Sequence, residues 1–375
     1  MKDSEIQDDV IETDEDTAEE DSGDSGGLYP YDPTKADIDI REDPQTVFEL
    51  LRKYDNGKLI TDPDFQRNVI WDLQKQSQFI ESVILNFPLP PFYLNETKDG
   101  KRIIVDGLQR TTALHKFIND DFKLKGLQAL TRLNGYNFSE LKQLPGDYQT
   151  RIEDKKLYIY LIKPSVPVKV VYDIFNRINT AGTKLERQEV RNCIFSGKST
   201  KLLKELSEKE YFKTAIDKGV SPKRMKDREV ILRYLAFKIF DYEKEYQGDL
   251  SDFVERAMKK INLMDEQQIE LLKNDFERVM NLTFEFFGNK NFRLPSDKNR
   301  GRINIAIFES VCYFFSVNSD LFLKDHKSYI QNNFTRLLGN PEYFDAIRYS
   351  TSSKSKVITR FKLAQDILGN VENAN

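Results

Sequence analysis

Asp106-Gly107-Leu108-Gln109-Arg110 follows the run Ile103-Ile104-Val105 and precedes Thr111 and Thr112. The spacing predicts a strand, a tight turn and a helix start, in that order. Glycine permits the backbone that such a turn demands. The first turn of a helix presents N–H groups with no partner in the helix and a partial positive charge. An arginine added there makes the mouth a candidate phosphate cradle.

Three further clusters have polar or turn chemistry at close spacing. Pro63-Asp64-Phe65-Gln66-Arg67 stands just before Trp71. Pro88-Leu89-Pro90-Pro91 leads into Phe92-Tyr93-Leu94. Phe175-Asn176-Arg177-Ile178-Asn179 runs into Thr180-Ala181-Gly182-Thr183-Lys184-Leu185, with Glu186, Gln188, Glu189 and Arg191 beyond.

In this order the four clusters resemble the N-terminal domain family of GmrSD-type modification-dependent restriction enzymes, in the ParB/sulfiredoxin-like superfamily. That family carries an Asp-Gly-Gln-Gln-Arg box after a strand. It also has an upstream Gln-Arg pair before a Trp, an Ile-Pro-Pro-like strand entry and a downstream Asn-x-x-Gly-x-x-Leu box. The resemblance covers about residues 44–195. One position departs from it, Leu108, which stands where the family usually has Gln.

The resemblance implies a nucleotide-binding fold that hydrolyses a nucleoside triphosphate with Mg²⁺ and serves in anti-phage defence against foreign or modified DNA. By it, Arg110 contacts phosphate, with Gly107, Gln109 and the N–H groups of Thr111 and Thr112 beside it. Asp106 binds Mg²⁺ or orients the attacking water. Gln66, Arg67, Asn176, Arg177, Asn179 and Gly182 line the same cleft. The implied partners are a nucleoside triphosphate, DNA and a separate nuclease effector; a homo-oligomer stays open.

Plainer readings stand beside these. Asp106 could cap the following helix. Arg67 and Arg110 could be buried ion pairs with Glu81 or Glu189, since arginine suits such pairs. Asn179 and Gly182 could be turn chemistry alone. Trp71 and His115 read as packing residues, and Pro88–Pro91 as a strand entry.

The elements that position these residues form a mixed region over 44–195. Helical spacing is expected over Thr46–Tyr54, Asp72–Phe87, Val168–Asn179 and Leu185–Phe195. Strands are expected at Leu59-Ile60, Phe92–Leu94, Arg102–Val105 and Leu157–Ile162, with a hairpin turn at Asp99-Gly100. The prolines from Pro88 onward are expected to end the second helix. From 196 to 375 the pattern is amphipathic helix, over Arg228–Tyr246, Ser251–Ile261, Glu266–Phe287, Ile303–Val317, Asp320–Leu338 and Lys354–Leu368. The fold class is therefore α+β: a ParB/sulfiredoxin-like mixed domain, by the resemblance, followed by an all-helical one.

Charge is unevenly placed along the 375 residues. Residues 1–27 carry twelve acids and one base, so against a whole-chain charge of −4 the remainder carries +7. Residues 1–43 read as an acidic disordered tail and linker. The basic remainder suits nucleic acid or nucleotide partners, and equally an ordinary soluble surface. No apolar run reaches the ~20 residues of a membrane span. Two cysteines make no disulfide framework, so a reducing cytoplasm is expected.

Other chemistries lack their residues. The two histidines, His115 and His326, form no His-Asn-His nuclease motif. There is no Cys/His zinc spacing and no Gly-x-x-x-x-Gly-Lys-Ser/Thr loop. Three functions follow: a nucleoside triphosphatase of restriction type; a non-catalytic DNA-binding or adaptor module; or a metal-dependent DNA nickase built on Asp106 and Glu189. Basic groups at Lys223–Arg233, Lys298–Arg302 and Lys354–Lys362 could track a phosphate backbone or simply be solvated.

Overall fold

The computed structural model describes residues 10–11, 38–60, 71–97, 100–178, 186–295 and 301–371, with the backbone alone at 10, 11, 176 and 178. Two compact units result: Gly27–Ile194, and Phe195–Asn375 together with Met1–Gly26. Of the acidic tail, Val10–Ile11 (β1) is described, and it forms a strand where disorder is expected. These two β-branched residues lie within the acid-rich run, and they pair in parallel with Ile303–Asn304 of the same unit.

The Gly27–Ile194 unit opens with Ile40–Glu42 (β2) and Gln45–Thr46 (β3). Val47–Asp55 (α1) follows, started by a reciprocal cap between Thr46 and Glu49. Leu59–Ile60 (β4) precedes the undescribed segment 61–70. Asp72 caps Leu73–Ile84 (α2) through the Lys75 N–H. That helix stops before the prolines expected to end it, because Asn86 takes a left-handed backbone at φ 60°. Phe92–Glu96 (β5) and Arg102–Asp106 (β6) form the hairpin, and Leu108–Ile118 (α3) leaves directly from it.

Tyr148–Glu153 (α4) leads to a second departure. The single expected strand over 157–162 is two, Lys156–Leu157 (β7) and Ile159–Ile162 (β8). The chain changes partners at exposed Tyr158: β7 pairs with β3, and β8 with β2 and β5. Val168–Ile178 (α5) and Arg187–Ile194 (α6) complete the unit.

The five-stranded sheet has the order β2-β8-β5-β6-β4 and mixed direction. Both of its faces are covered. Ile104, Phe92 and Leu94 pack with residues of α1 to α4. Ile103 and Val105 point the other way, to Val170, Val171 and Phe175 of α5 and Val190 of α6. The unbroken apolar run before Asp106 is thus a strand buried on both sides.

The second unit is helical, from Lys198–Glu208 (α7), Glu210–Ala215 (α8), Lys226–Ile239 (α9) and Tyr242–Glu245 (α10) to Leu250–Leu263 (α11) and Glu266–Phe287 (α12). After Ile303–Asn304 (β9) come Ile305–Val317 (α13), Asp320–Asp325 (α14), Lys327–Leu338 (α15), Pro341–Ala346 (α16) and Lys354–Leu368 (α17). Two long patterns are broken, at Phe240-Asp241 and at His326. The Asp241 carboxylate caps the new helix in the first case. α13 is buried almost all round, and it carries Glu309 between two arginines, Arg233 of α9 at 3.4 Å and Arg360 of α17. No described helix is long and apolar enough to cross a membrane.

Candidate functional site

β6 delivers Asp106 to the end of the sheet, and Gly107 turns the chain into α3. Gly107 has φ 107°, and a Cβ there would lie 2.3 Å from the Phe92 ring. Only glycine fits both the conformation and the space. No side chain caps α3. Asp106 is thus not the helix cap; its carboxylate serves Arg110 instead.

Arg110 is 7% exposed, and its guanidinium has four partners. It donates to Asp106 Oδ2 at 2.8 Å, to the Pro91 carbonyl at 3.1 Å and to the Pro90 carbonyl. The Phe92 ring lies 4.2 Å below its central carbon. Burial lowers its pKa from the ordinary value, and Asp106 opposes that by charge and hydrogen bond. Arg110 therefore ties the proline-rich strand entry to the start of α3. Its partner is neither Glu81 nor Glu189. Glu81 accepts from the N–H groups of Gln128, Ala129 and Leu130, and Glu189 accepts from that of Glu186.

Gln109 reaches the other side of the mouth, where its Oε1 accepts from the Trp71 N–H at 3.1 Å. Trp71 packs edge-on to Phe79 against the core. Ile60 lies beside Ile103 on the neighbouring parallel strand. Gln66 and Arg67 lie outside the described residues. Leu108 packs against the core, which explains how an apolar residue is accommodated there.

The remaining expected residues are placed differently. The Thr111 N–H donates to the Gly107 carbonyl at 2.8 Å, so it is spent inside the helix. The unspent donors belong to Leu108, Gln109 and Arg110. Arg177 pairs with Asp173 of its own helix at 2.9 Å. The Asn176 side chain, Asn179 and Gly182 lie outside the described residues. His115 stacks on Tyr54 and meets Asp55 at 3.0 Å. Among the described residues no three His, Cys, Asp or Glu side chains converge as metal ligands, Asp106 and Glu189 included.

A feature that motif reading passed over lies beside Asp106. Tyr93 of β5 is its register partner, and Tyr160 of β8 is that of Tyr93. The two rings stack at 5.3 Å with planes 24° apart. The sequence signal is one tyrosine between two apolar residues in each strand, in Phe92-Tyr93-Leu94 and Ile159-Tyr160-Leu161.

Residues 47–196 match the model of the GmrSD restriction endonuclease, N-terminal domain, and this segment belongs to that family. A search among curated proteins found no match for the chain.

Proposed function

We propose that the protein is a cytoplasmic component of a restriction or anti-phage system whose mouth at α3 binds and hydrolyses a nucleoside triphosphate in response to foreign or modified DNA. The observation that carries this reading is the uncapped start of α3 behind Gly107. Three N–H donors and the helix's partial positive charge point at whatever enters there. By the family resemblance Gln66 and Arg67 would join this mouth, and their side chains suit phosphate.

Mg²⁺ would come with the phosphates. Asp106 offers one carboxylate, and its Oδ2 already accepts from Arg110. A site of one carboxylate plus substrate phosphates is ordinary for this ion, which supplies charge neutralisation when bound. Asp106 Oδ1 would be left to hold that ion, directly or through water, or to orient the attacking water. In the hydrolysis that water forms the new bond to the terminal phosphorus, the bond to the bridging oxygen breaks, the nucleoside diphosphate leaves, and the water's proton passes to solvent. Arg110 acts through position, because its guanidinium is committed to Asp106 and the two proline carbonyls.

Phosphate release from ATP, GTP and CTP with Mg²⁺, with and without phage-type DNA, tests this for wild type and Asp106→Asn. Turnover by wild type that falls at least tenfold in the variant supports the reading. A second reading, a DNA-binding or adaptor module without turnover, is favoured by the inward commitment of Arg110. Steeply salt-dependent DNA binding with no phosphate release would select it.

A further inference from the structure

We propose that Tyr93 and Tyr160 form the seat on which the base of the nucleotide stacks. This rests on the reading of the α3 mouth as the phosphate site, and it assigns the rest of the ligand. Asp106, Tyr93, Tyr160 and Glu42 are successive register partners across β6, β5, β8 and β2. They form one rung at the end of the sheet where α3 begins. From Asp106 to Tyr160 is two strand spacings, about 10 Å. That is of the order of the reach from a phosphate chain to its base.

The neighbouring rung contains Ile40, Ile162, Asn95 and Ile103, and its isoleucines share with Tyr93 the core against α5. A cross-strand aromatic pair steadies a sheet by itself. Two observations go beyond that role. Both residues are only partly buried. Neither hydroxyl has a hydrogen-bond partner among the described residues, and neither is sealed from solvent. Exposed Glu42 closes the far end of the rung and would repel a phosphate there, so the part of a ligand that fits over the rings is uncharged and flat.

Burial first, and then Tyr160 and Asp106 beside it, push the Tyr93 hydroxyl above its ordinary pKa. It stays a neutral donor to a ring nitrogen or carbonyl. Stacking on an aromatic side chain tolerates any base, because every base has a π-face.

The test compares ATP, GTP and CTP with inorganic tripolyphosphate, all with Mg²⁺, by calorimetric titration. Wild type is expected to bind its preferred nucleotide about tenfold tighter than tripolyphosphate, the scale of one base stack. Tyr93→Leu and Tyr160→Leu should each remove most of that advantage and leave tripolyphosphate affinity unchanged. Tyr93→Phe, which keeps the ring, should retain nucleotide binding. If a Leu variant fails to fold, near-ultraviolet circular dichroism of wild type decides. Nucleotide should alter the tyrosine band, and tripolyphosphate should leave it unaltered.

Equal wild-type affinity for nucleotide and tripolyphosphate, or Leu variants that bind nucleotide as wild type does, would overturn the seat while the phosphate mouth stands. Leu variants that lose tripolyphosphate equally would overturn it too. Wild type that binds neither ligand would overturn the mouth and the seat together.

Discussion

The Arg110 guanidinium donates to Asp106 one helical turn away at 2.8 Å and continues past it to the carbonyl oxygens of Pro90 and Pro91. One side chain thus joins three pieces of backbone at the mouth. Removing it leaves two carbonyls, of exposed Pro90 and partly buried Pro91, and a carboxylate without their donor. Arg110→Ala should cost about 1.5–3 kcal/mol, since the Asp106 carboxylate left behind is partly solvated. Arg110→Lys should cost nearly as much, because one ammonium cannot reproduce the planar fork. Urea unfolding checks both. A loss of activity in Arg110→Ala therefore reports on folding as well as chemistry, which is why Asp106→Asn is the better probe of turnover.

Gly107 is the second point of tight fit. Gly107→Ala meets the Phe92 ring and takes an unfavourable left-handed backbone together. The expected loss is about 2–3 kcal/mol. Thermal unfolding of Gly107→Ala with Phe92→Leu alongside separates the two causes. The double variant recovers the steric part and keeps the conformational part.

Glu81 holds the loop after α3 through three backbone N–H groups at 2.7 to 3.1 Å. Glu81→Ala leaves those donors unpaired in a partly buried place and should cost about 3 kcal/mol. Hydrogen exchange at Gln128, Ala129 and Leu130 should accelerate in the variant. Unchanged exchange there would show that water replaces the carboxylate without cost.

Alkaline stability should depend on Tyr234 in the helical unit. Burial, with Asp275 accepting its hydroxyl at 2.5 Å, raises its pKa well above the ordinary value. The folded chain keeps this proton when the unfolded chain has released it. Its contribution is therefore full below the unfolded value near 10 and is lost as pH rises beyond it. The slope approaches about 1.4 kcal/mol per pH unit for one such group. Urea unfolding between pH 8 and 11 should show a shallower decline for Tyr234→Phe than for wild type.

The elements that sequence pattern located best carry their own end signals. Glu266–Phe287 follows Asp265, which with Gln268 forms a reciprocal cap, and the expected bounds agree with those observed. Where a pattern continued across a break, the cause was tertiary. The 157–162 run splits because its two halves pair with different strands, and periodicity carries no trace of that. In the site, Asp106, Gly107, Gln109 and Arg110 were legible as residues that sit together. Where Arg110 points was not. Its acceptors are main-chain carbonyls some twenty residues earlier, and a carbonyl has no signature in sequence. Glu81 was hidden for the same reason, since its donors are backbone N–H groups.

Glu309 is bonded to Arg233, 76 positions before it, and to Arg360, 51 positions after it. On a ribosome the carboxylate therefore emerges with half of its countercharge made. It stays so for the time taken to add those 51 residues. Desolvating it in that interval would be costly. Closing the core around α13 before α17 arrives would bury Glu309 short of one partner, so the order of synthesis would act as a timer on when this unit closes.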